Sequence, residues 1–236
     1  MKRSKLDLHC EVCDAHKDSV FAGMCSQKIS QLDEKKSSSS YKKGQMLFHE
    51  GTRPMGIFCI NKGKVKVFRL GGDGKEQIIN ILKGGDILGY KAMLSDELYP
   101  VSAETLEDSN ICFIPKTNFL TILEDSPDLY QRLLKKVCHE MGVMTEHMTN
   151  LAQKSVRERL ALTLVMLNDT YGVDAMDNGK VIINLTREDL ANIVGTATET
   201  LIRLLHDFKE EKLVATEGRR IKILEPKQLA EVGGIV

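Results

Sequence analysis

The 236-residue chain has no apolar run approaching the ~20 residues that a bilayer-spanning helix needs. Its basic start, MKRSKLDLHCEVCDAHKDSVF, is followed by no continuous apolar stretch, so it does not read as a secretory signal. The chain is therefore expected in the cytoplasm, away from membranes. It also lacks net charge, because Lys+Arg and Asp+Glu both total 33. That excludes a polyelectrolyte such as a basic chromatin protein but leaves room for a local basic patch. From Lys154 onward acidic and basic residues also nearly balance, so any affinity of that region for a polyanion has to come from placement more than from gross charge. No nucleophile–base pair, phosphate loop or pair of carboxylates in a plausible pocket is apparent, and the chain does not read as an enzyme.

The apolar fraction of 42% is enough for two modest cores. Four regions separate. Residues 1–28 form an N-terminal segment carrying a close cysteine pair and little periodicity. Residues 29–125 begin with a polar, Ser-rich connection (35–43, KKSSSSYKK) and then become strand-like. The stretch 65–70, VKVFRL, alternates with period two, and glycine clusters such as 71–74 and 84–85 punctuate the pattern. Short strands with Gly-rich turns predict an antiparallel β-roll, or jelly roll. Residues 126–153 predict a long helix, with Ser126 able to cap it and Pro127 at the first helical position. Residues 154–236 form the last region. The whole is an α+β architecture.

Within the long helix, Tyr130, Leu134, Val137, Met141, Met144, Met148 and Leu151 recur at alternating steps of four and three. A strict 3.5-residue repeat with polar residues between is the signature of a helix packed along a partner helix. Leu134, Val137, Met141, Met144, Met148 and Leu151 are the expected dimer interface. A helix lying on its own domain usually carries a broader apolar stripe.

After a helix opened by Ser155, with Leu160, Leu164 and Leu167 on one face, comes a short strand at 181–185. Thr186 and Asp189 then approximate a capping box, Leu190, Ile193 and Val194 form a buried face, and Gly195 marks the turn. A second helix restarts after it, giving a helix-turn-helix whose second member enters the major groove. Thr198, Glu199 and Arg203 are candidate base readers with Ile202 beside them, since Arg bonds guanine bidentately and Glu accepts from cytosine. Thr196 and Thr200 could bond phosphates, whereas Leu201, Leu204 and Leu205 suit the core. A hairpin at 213–224 with basic residues at its turn completes a winged helix, with Arg219 and Arg220 as phosphate contacts.

Taken together these residues resemble the CRP/FNR superfamily of bacterial transcription regulators. The matching pieces run in order along nearly the whole chain: KGQMLF at 43–48 with Gly51, NKGKVKV at 61–67, GDILG at 85–89, SAET at 102–105, Leu190-Ala191, and Glu199-Thr200 with Arg203-Leu204. The resemblance implies a cyclic-nucleotide-binding-like roll, a dimer helix, a winged helix-turn-helix, a palindromic double-stranded DNA operator and RNA polymerase as a partner. The effector pocket would fall at Gly89, Tyr90, Val101 and Ser102. Cyclic-nucleotide sensors carry Gly-Glu and Arg-Ser/Thr pairs there; this chain has Gly89-Tyr90 and Val101-Ser102. Without that carboxylate and guanidinium cyclic AMP is not expected as effector, and the chain is closer to FNR-like members. Ile202 also replaces a serine common in the recognition helix.

The six cysteines stay open at this level. A reducing cytosol argues against a disulfide framework. Cys59 and Cys138 read as small core residues. FNR-like oxygen sensors bind a [4Fe–4S] cluster through three N-terminal cysteines and one in the β-domain, which implies Cys10, Cys13, Cys25 and Cys112 as candidate ligands. The gap from Cys13 to Cys25 is longer than in those sensors. Zinc held by His9, Cys10, Cys13 and His16, a Cys10–Cys13 dithiol switch, or cysteines with no sensing role are the other readings. The function expected is a homodimeric, sequence-specific DNA-binding regulator controlled by an effector or redox signal. Its rival is a sensor module without regulated DNA binding.

Overall fold

The computed structural model describes residues 5–6, 8–172 and 182–235. Val181, at the start of the strand expected over 181–185, lies outside the described residues. The chain divides into two compact units, one from residues up to Arg69 together with Ile79–Gly142, the other from Leu70–Ile78 together with Val143 onward.

In the first unit two short 3₁₀ turns, Cys10–Val12 and Asp14–Asp18, lead to α1 (Ser26–Lys35). A five-stranded sheet has the order β1 (Lys5–Leu6), β2 (Ser37–Tyr41), β9 (Ser109–Pro115), β4 (Gly56–Lys62) and β7 (Ile87–Leu88). A four-stranded sheet has the order β3 (Met46–Phe48), β8 (Ser102–Thr105), β5 (Lys64–Leu70) and β6 (Glu76–Lys83). These are the two layers of the expected antiparallel roll. Helices α2 (Tyr90–Leu94) and α3 (Lys116–Glu124) complete the unit, and the start of α4 (Pro127–Gln153) packs on it.

The five-stranded sheet is buried on both faces, and strand parity sorts its side chains. On β4 and β9, Phe58, Ile60 and Ile111 point into the roll with Tyr41, Phe48 and Tyr99. Ile57 and Ile114 point the other way, into a second core built with Phe21, Ile29, Leu32, Phe119, Leu129 and Leu133. Two-sided burial is why the stretch 56–60 is a continuous apolar run and not an alternating one. On β5 Val65 is fully buried, yet so is most of Lys66, whose ammonium reaches Glu104 at 3.7 Å and sits over the Phe68 ring. Its stem is covered while its charge is paired.

Helix α4 starts where Pro127 predicts, but the Ser126 hydroxyl does not cap it. Ser126 is buried, its Oγ has no hydrogen-bond partner, and only its carbonyl accepts from the Tyr130 amide. Leu129 and Leu133 bury against the roll, which leaves the 134–151 stripe on another face.

The second unit holds α5 (Val156–Tyr171), β10 (Ile182–Asn184), α6 (Arg187–Val194), α7 (Thr198–Glu210), β11 (Val214–Glu217), β12 (Arg220–Ile223) and α8 (Pro226–Val232). Ser155 and Glu158 form a full capping box at the start of α5. Leu160, Leu164 and Leu167 of α5, Leu190 of α6, and Leu201 and Phe208 of α7 are all fully buried. The sheet order β10-β12-β11 is antiparallel throughout and makes the wing.

Candidate DNA-reading helix and cysteine cavity

Thr186 Oγ1 accepts from the Asp189 amide at 2.9 Å and donates to Asp189 Oδ2 at 2.6 Å, fixing the start of α6. At its other end Gly195 adopts the left-handed conformation (φ 71°, ψ 52°), and its amide caps Ala191 O. A Cβ there would strain the backbone and lie 3.2 Å from Leu151 Cδ2. Arg159 reads the same turn from α5, donating from Nε to Val194 O at 3.0 Å and from Nη2 to Gly195 O at 3.2 Å. A cation at a helix C-terminus satisfies carbonyls that have no helical partner. Gln77 Nε2, from the Leu70–Ile78 segment, donates to Asn192 O at 2.7 Å.

This frame sets the rotation of α7. Leu201, Leu205 and Phe208 are buried at i, i+4 and i+7. Leu204, expected as core, is half-buried. Glu199, Ile202 and Arg203 are exposed, and Thr196, Thr198 and Thr200 are half-buried near the N-terminus of the helix. His206 extends the exposed stripe by one turn, a position sequence reasoning passed over although the i+3 spacing from Arg203 points to it. Ile202 is 51% exposed between charged neighbours, which costs apolar surface unless something covers it. At the wing, Glu217 pairs with Arg220 across a Gly218-Arg219 turn, and both arginines are exposed. Arg187 Nη2 donates to Gly218 O at 2.9 Å and so ties the wing turn to α6.

On α4, Leu134, Met141, Met144, Met148 and Leu151 are exposed by half or more, whereas Val137 is partly buried against the roll core. Cys138, expected as a core residue, is exposed, because α4 buries Leu129 and Leu133 and turns Cys138 away from them.

At the effector positions the side chains already have partners. Gly89 is left-handed and starts α2. Tyr90 is 1% exposed, and its hydroxyl donates to Glu140 Oε2 on α4 at 2.9 Å. Lys91 pairs with the same carboxylate at 2.6 Å and Lys136 with its other oxygen at 3.5 Å. Burial, then the Glu140 charge, holds the Tyr90 phenol well above the usual range. Burial works against ionising Glu140, but Lys91, with Tyr90 and Lys136, outweighs it and lowers that carboxyl. Val101 packs partly buried on the roll core, and Ser102 Oγ accepts from the Glu50 amide at 2.9 Å.

The cysteines gather beneath the N-terminal segment. One cavity of about 50 Å³ is bordered by Cys10, Cys13, His16, Lys36, Cys59 and Cys112. Cys25 is exposed at the N-terminus of α1 and does not border it. Three of the sulfurs have a polar neighbour: Lys36 Nζ donates to Cys10 Sγ at 3.0 Å, Asn61 Nδ2 to Cys13 Sγ at 3.1 Å, and Ser38 Oγ lies 3.3 Å from Cys112 Sγ. Asp33 organises the segment, accepting from the Cys10 amide at 2.8 Å, from His9 and from Lys36. Burial pushes the Cys10 thiol up to about 11 against the opposing pull of Lys36. Burial also raises Cys59, well above its ordinary value, and Cys112, where Ser38 opposes it. The left-handed Gly85 admits the segment: a Cβ there would meet Asp18 Cβ at 3.1 Å and Ala15 O at 3.2 Å.

Among the described residues no three His, Cys, Asp or Glu side chains are grouped to hold a single metal ion. A [4Fe–4S] cluster makes a different demand, one thiolate for each of four irons around a shared space. The donor set fits that demand, with sulfurs on several walls of one cavity and a wall atom, His16 Nε2, that is buried without a hydrogen-bond partner.

Comparison with known proteins gives the same layout. The Cyclic nucleotide-binding domain family matches residues 38–126, and the Crp-like helix-turn-helix domain family matches residues 158–232. The transcriptional activator protein Anr of Pseudomonas protegens is 28% identical over 98% of this chain and 95% of its own length. The fumarate and nitrate reduction regulatory protein of Vibrio cholerae is 28% identical over 97% of this chain and 91% of its own. A CRP/FNR-family transcriptional regulator of Thermus thermophilus shares the fold, with a TM-score of 0.71 at 20% identity over 84% of this chain and 98% of its own. The chain thus belongs to the CRP/FNR superfamily of bacterial transcription regulators, and is a helix-turn-helix DNA-binding regulator and not an enzyme.

Proposed function

We propose that this regulator acts in the cytoplasm as a homodimer on a two-fold symmetric operator, under control of a redox signal received by its N-terminal cysteine segment. The observation that carries the DNA reading is α7, which buries Leu201, Leu205 and Phe208 and exposes Glu199, Ile202 and Arg203. Arg203 and Glu199 read base edges, Thr198 and Ile202 lie beside them, and Thr196, Thr200, Arg219 and Arg220 contact phosphates. Replacing Arg203 by Ala should weaken operator binding by about 1–3 kcal/mol, roughly 5- to 150-fold, and relax the preference at one base pair. Electrophoretic mobility shifts with the wild-type operator and single-base variants measure both. Unchanged binding would favour a sensor module without regulated DNA reading.

The dimer uses Leu134, Val137, Met141, Met144, Met148 and Leu151 along α4, most of them exposed apolar side chains in this single chain. A change in residues 1–125 would rotate the two subunits along that seam and shift the two recognition helices, and RNA polymerase would then meet the complex. Cyclic AMP is not the effector in this reading, since Tyr90 is committed to Glu140 and Ser102 to the Glu50 amide. The signal is instead received by a [4Fe–4S] cluster, which supplies a redox-labile centre when bound. Cys10, Cys13 and Cys112 supply thiolates, Lys36 places positive charge beside Cys10, and Asp33 fixes the backbone between them. Anaerobic purification followed by iron and acid-labile sulfide analysis tests this: about four of each per chain is expected.

A further inference from the structure

We infer that Cys59, not Cys25, is the fourth cluster ligand, so that the site is Cys10, Cys13, Cys59 and Cys112. This rests on the iron–sulfur reading and adds to it a ligand set that joins a short N-terminal pair to two neighbouring strands. Strand register brings Cys59 there. In the β4–β9 ladder Cys59 stands directly opposite Cys112, flanked by the pair Ile57 and Ile114. Side chains opposite one another in an antiparallel pair share a face, so both thiols project to the same side as Ile57 and Ile114, beneath the N-terminal segment. Cys10 and Cys13 come down onto that face from above, where Lys36 and Asn61 hold their sulfurs. All four border the one cavity, and Cys25 is outside it and exposed.

The observations favour a ligand in that cavity over four inert core thiols. Cys10, Cys13 and Cys112 each have a hydrogen-bonding side chain within reach, Lys36 brings a nearly covered ammonium to the site, and His16 Nε2 stays buried with no partner. An apolar core would gather none of these groups. Loading takes up two ferrous and two ferric irons with four sulfides and releases four thiol protons as four Fe–S(Cys) bonds form, so that no iron or sulfur changes oxidation state.

The chain has six cysteines, so a Cys25→Ser/Cys138→Ser variant retains only the four assigned here. Both substituted residues are exposed, which keeps the fold out of question. Wild type and variant are reconstituted anaerobically with equal amounts of ferrous and ferric iron and with sulfide, then assayed for iron, sulfide and visible absorption. The assignment predicts equal iron, sulfide and absorption in the two proteins, and loss of most of the signal when Cys59→Ala is added. Loss of the cluster in the double variant, or its full retention after Cys59→Ala, overturns the assignment while leaving the iron–sulfur reading intact. A wild-type protein that takes up no iron overturns both.

Discussion

At the residue scale, the clearest departure from a nucleotide sensor is Tyr90, whose hydroxyl occupies the Glu140 carboxylate on α4. Tyr90→Phe should lower stability by about 1.5–3 kcal/mol, because a buried bond to a charged acceptor is lost. The urea midpoint measures it, and an unchanged midpoint would show that the bond contributes nothing. The pH dependence follows from Glu140, held below its ordinary value of 4.5 although burial alone would raise it. A depressed carboxyl contributes stability that is fully present above the ordinary value and lost as pH falls through the folded one. Lys91 is largely exposed, so the contribution at neutral pH is at most about 1 kcal/mol. The stability gap between wild type and Glu140→Gln should therefore narrow as pH drops below 4.5, and a constant gap from pH 7 to 3.5 would contradict the assignment. Gly195 is a second single-residue test. Gly195→Val forces a branched side chain into a left-handed φ with Leu151 close by, and should destabilise by at least ~1–2 kcal/mol, read as a fall in the thermal midpoint.

At the scale of elements, periodicity carried most of what the sequence says. The 3.5-residue repeat marks the exposed stripe of α4, and the Thr186, Gly195 and Leu201 signals mark the two helices and the turn between them, because caps, αL glycines and apolar faces are local properties. Placing Met144→Glu in the middle of the stripe should weaken dimerisation at least ~100-fold, since it leaves a carboxylate unpaired in an apolar seam. Sedimentation velocity would follow the monomer fraction, and an unaltered dimer would move the interface elsewhere. What stayed illegible is non-local. Cys59 lies in an apolar run whose two faces the sequence cannot distinguish, and only pairing with Cys112 across a ladder some fifty residues long in sequence separation shows which way it points. The exposure of Cys25, away from the cavity, depends on where α1 packs, which its long gap from Cys13 hints at but does not decide. Arg159, which caps the end of α6, likewise carries no local signal. Cys138 read as core because a helical apolar pattern does not say which of its faces is covered.

At the scale of the whole molecule, the chain carries three properties: a cysteine-bordered cavity in the roll unit, an apolar stripe along α4, and a recognition helix held by its own unit. Near-zero net charge gives little help from long-range attraction to DNA. Two copies presenting Glu199 and Arg203 to successive major grooves would supply affinity that one copy lacks. The central claim is therefore a symmetric, sequence-reading dimer. It is tested most directly by selecting bound duplexes from a random pool with anaerobically purified protein and sequencing them. The prediction is an inverted pair of half-sites with centres ~10–10.5 bp apart, in which the preference at one base pair of each half-site relaxes when Arg203 is replaced by Ala. Enrichment of a lone half-site, or of no common sequence, would contradict it.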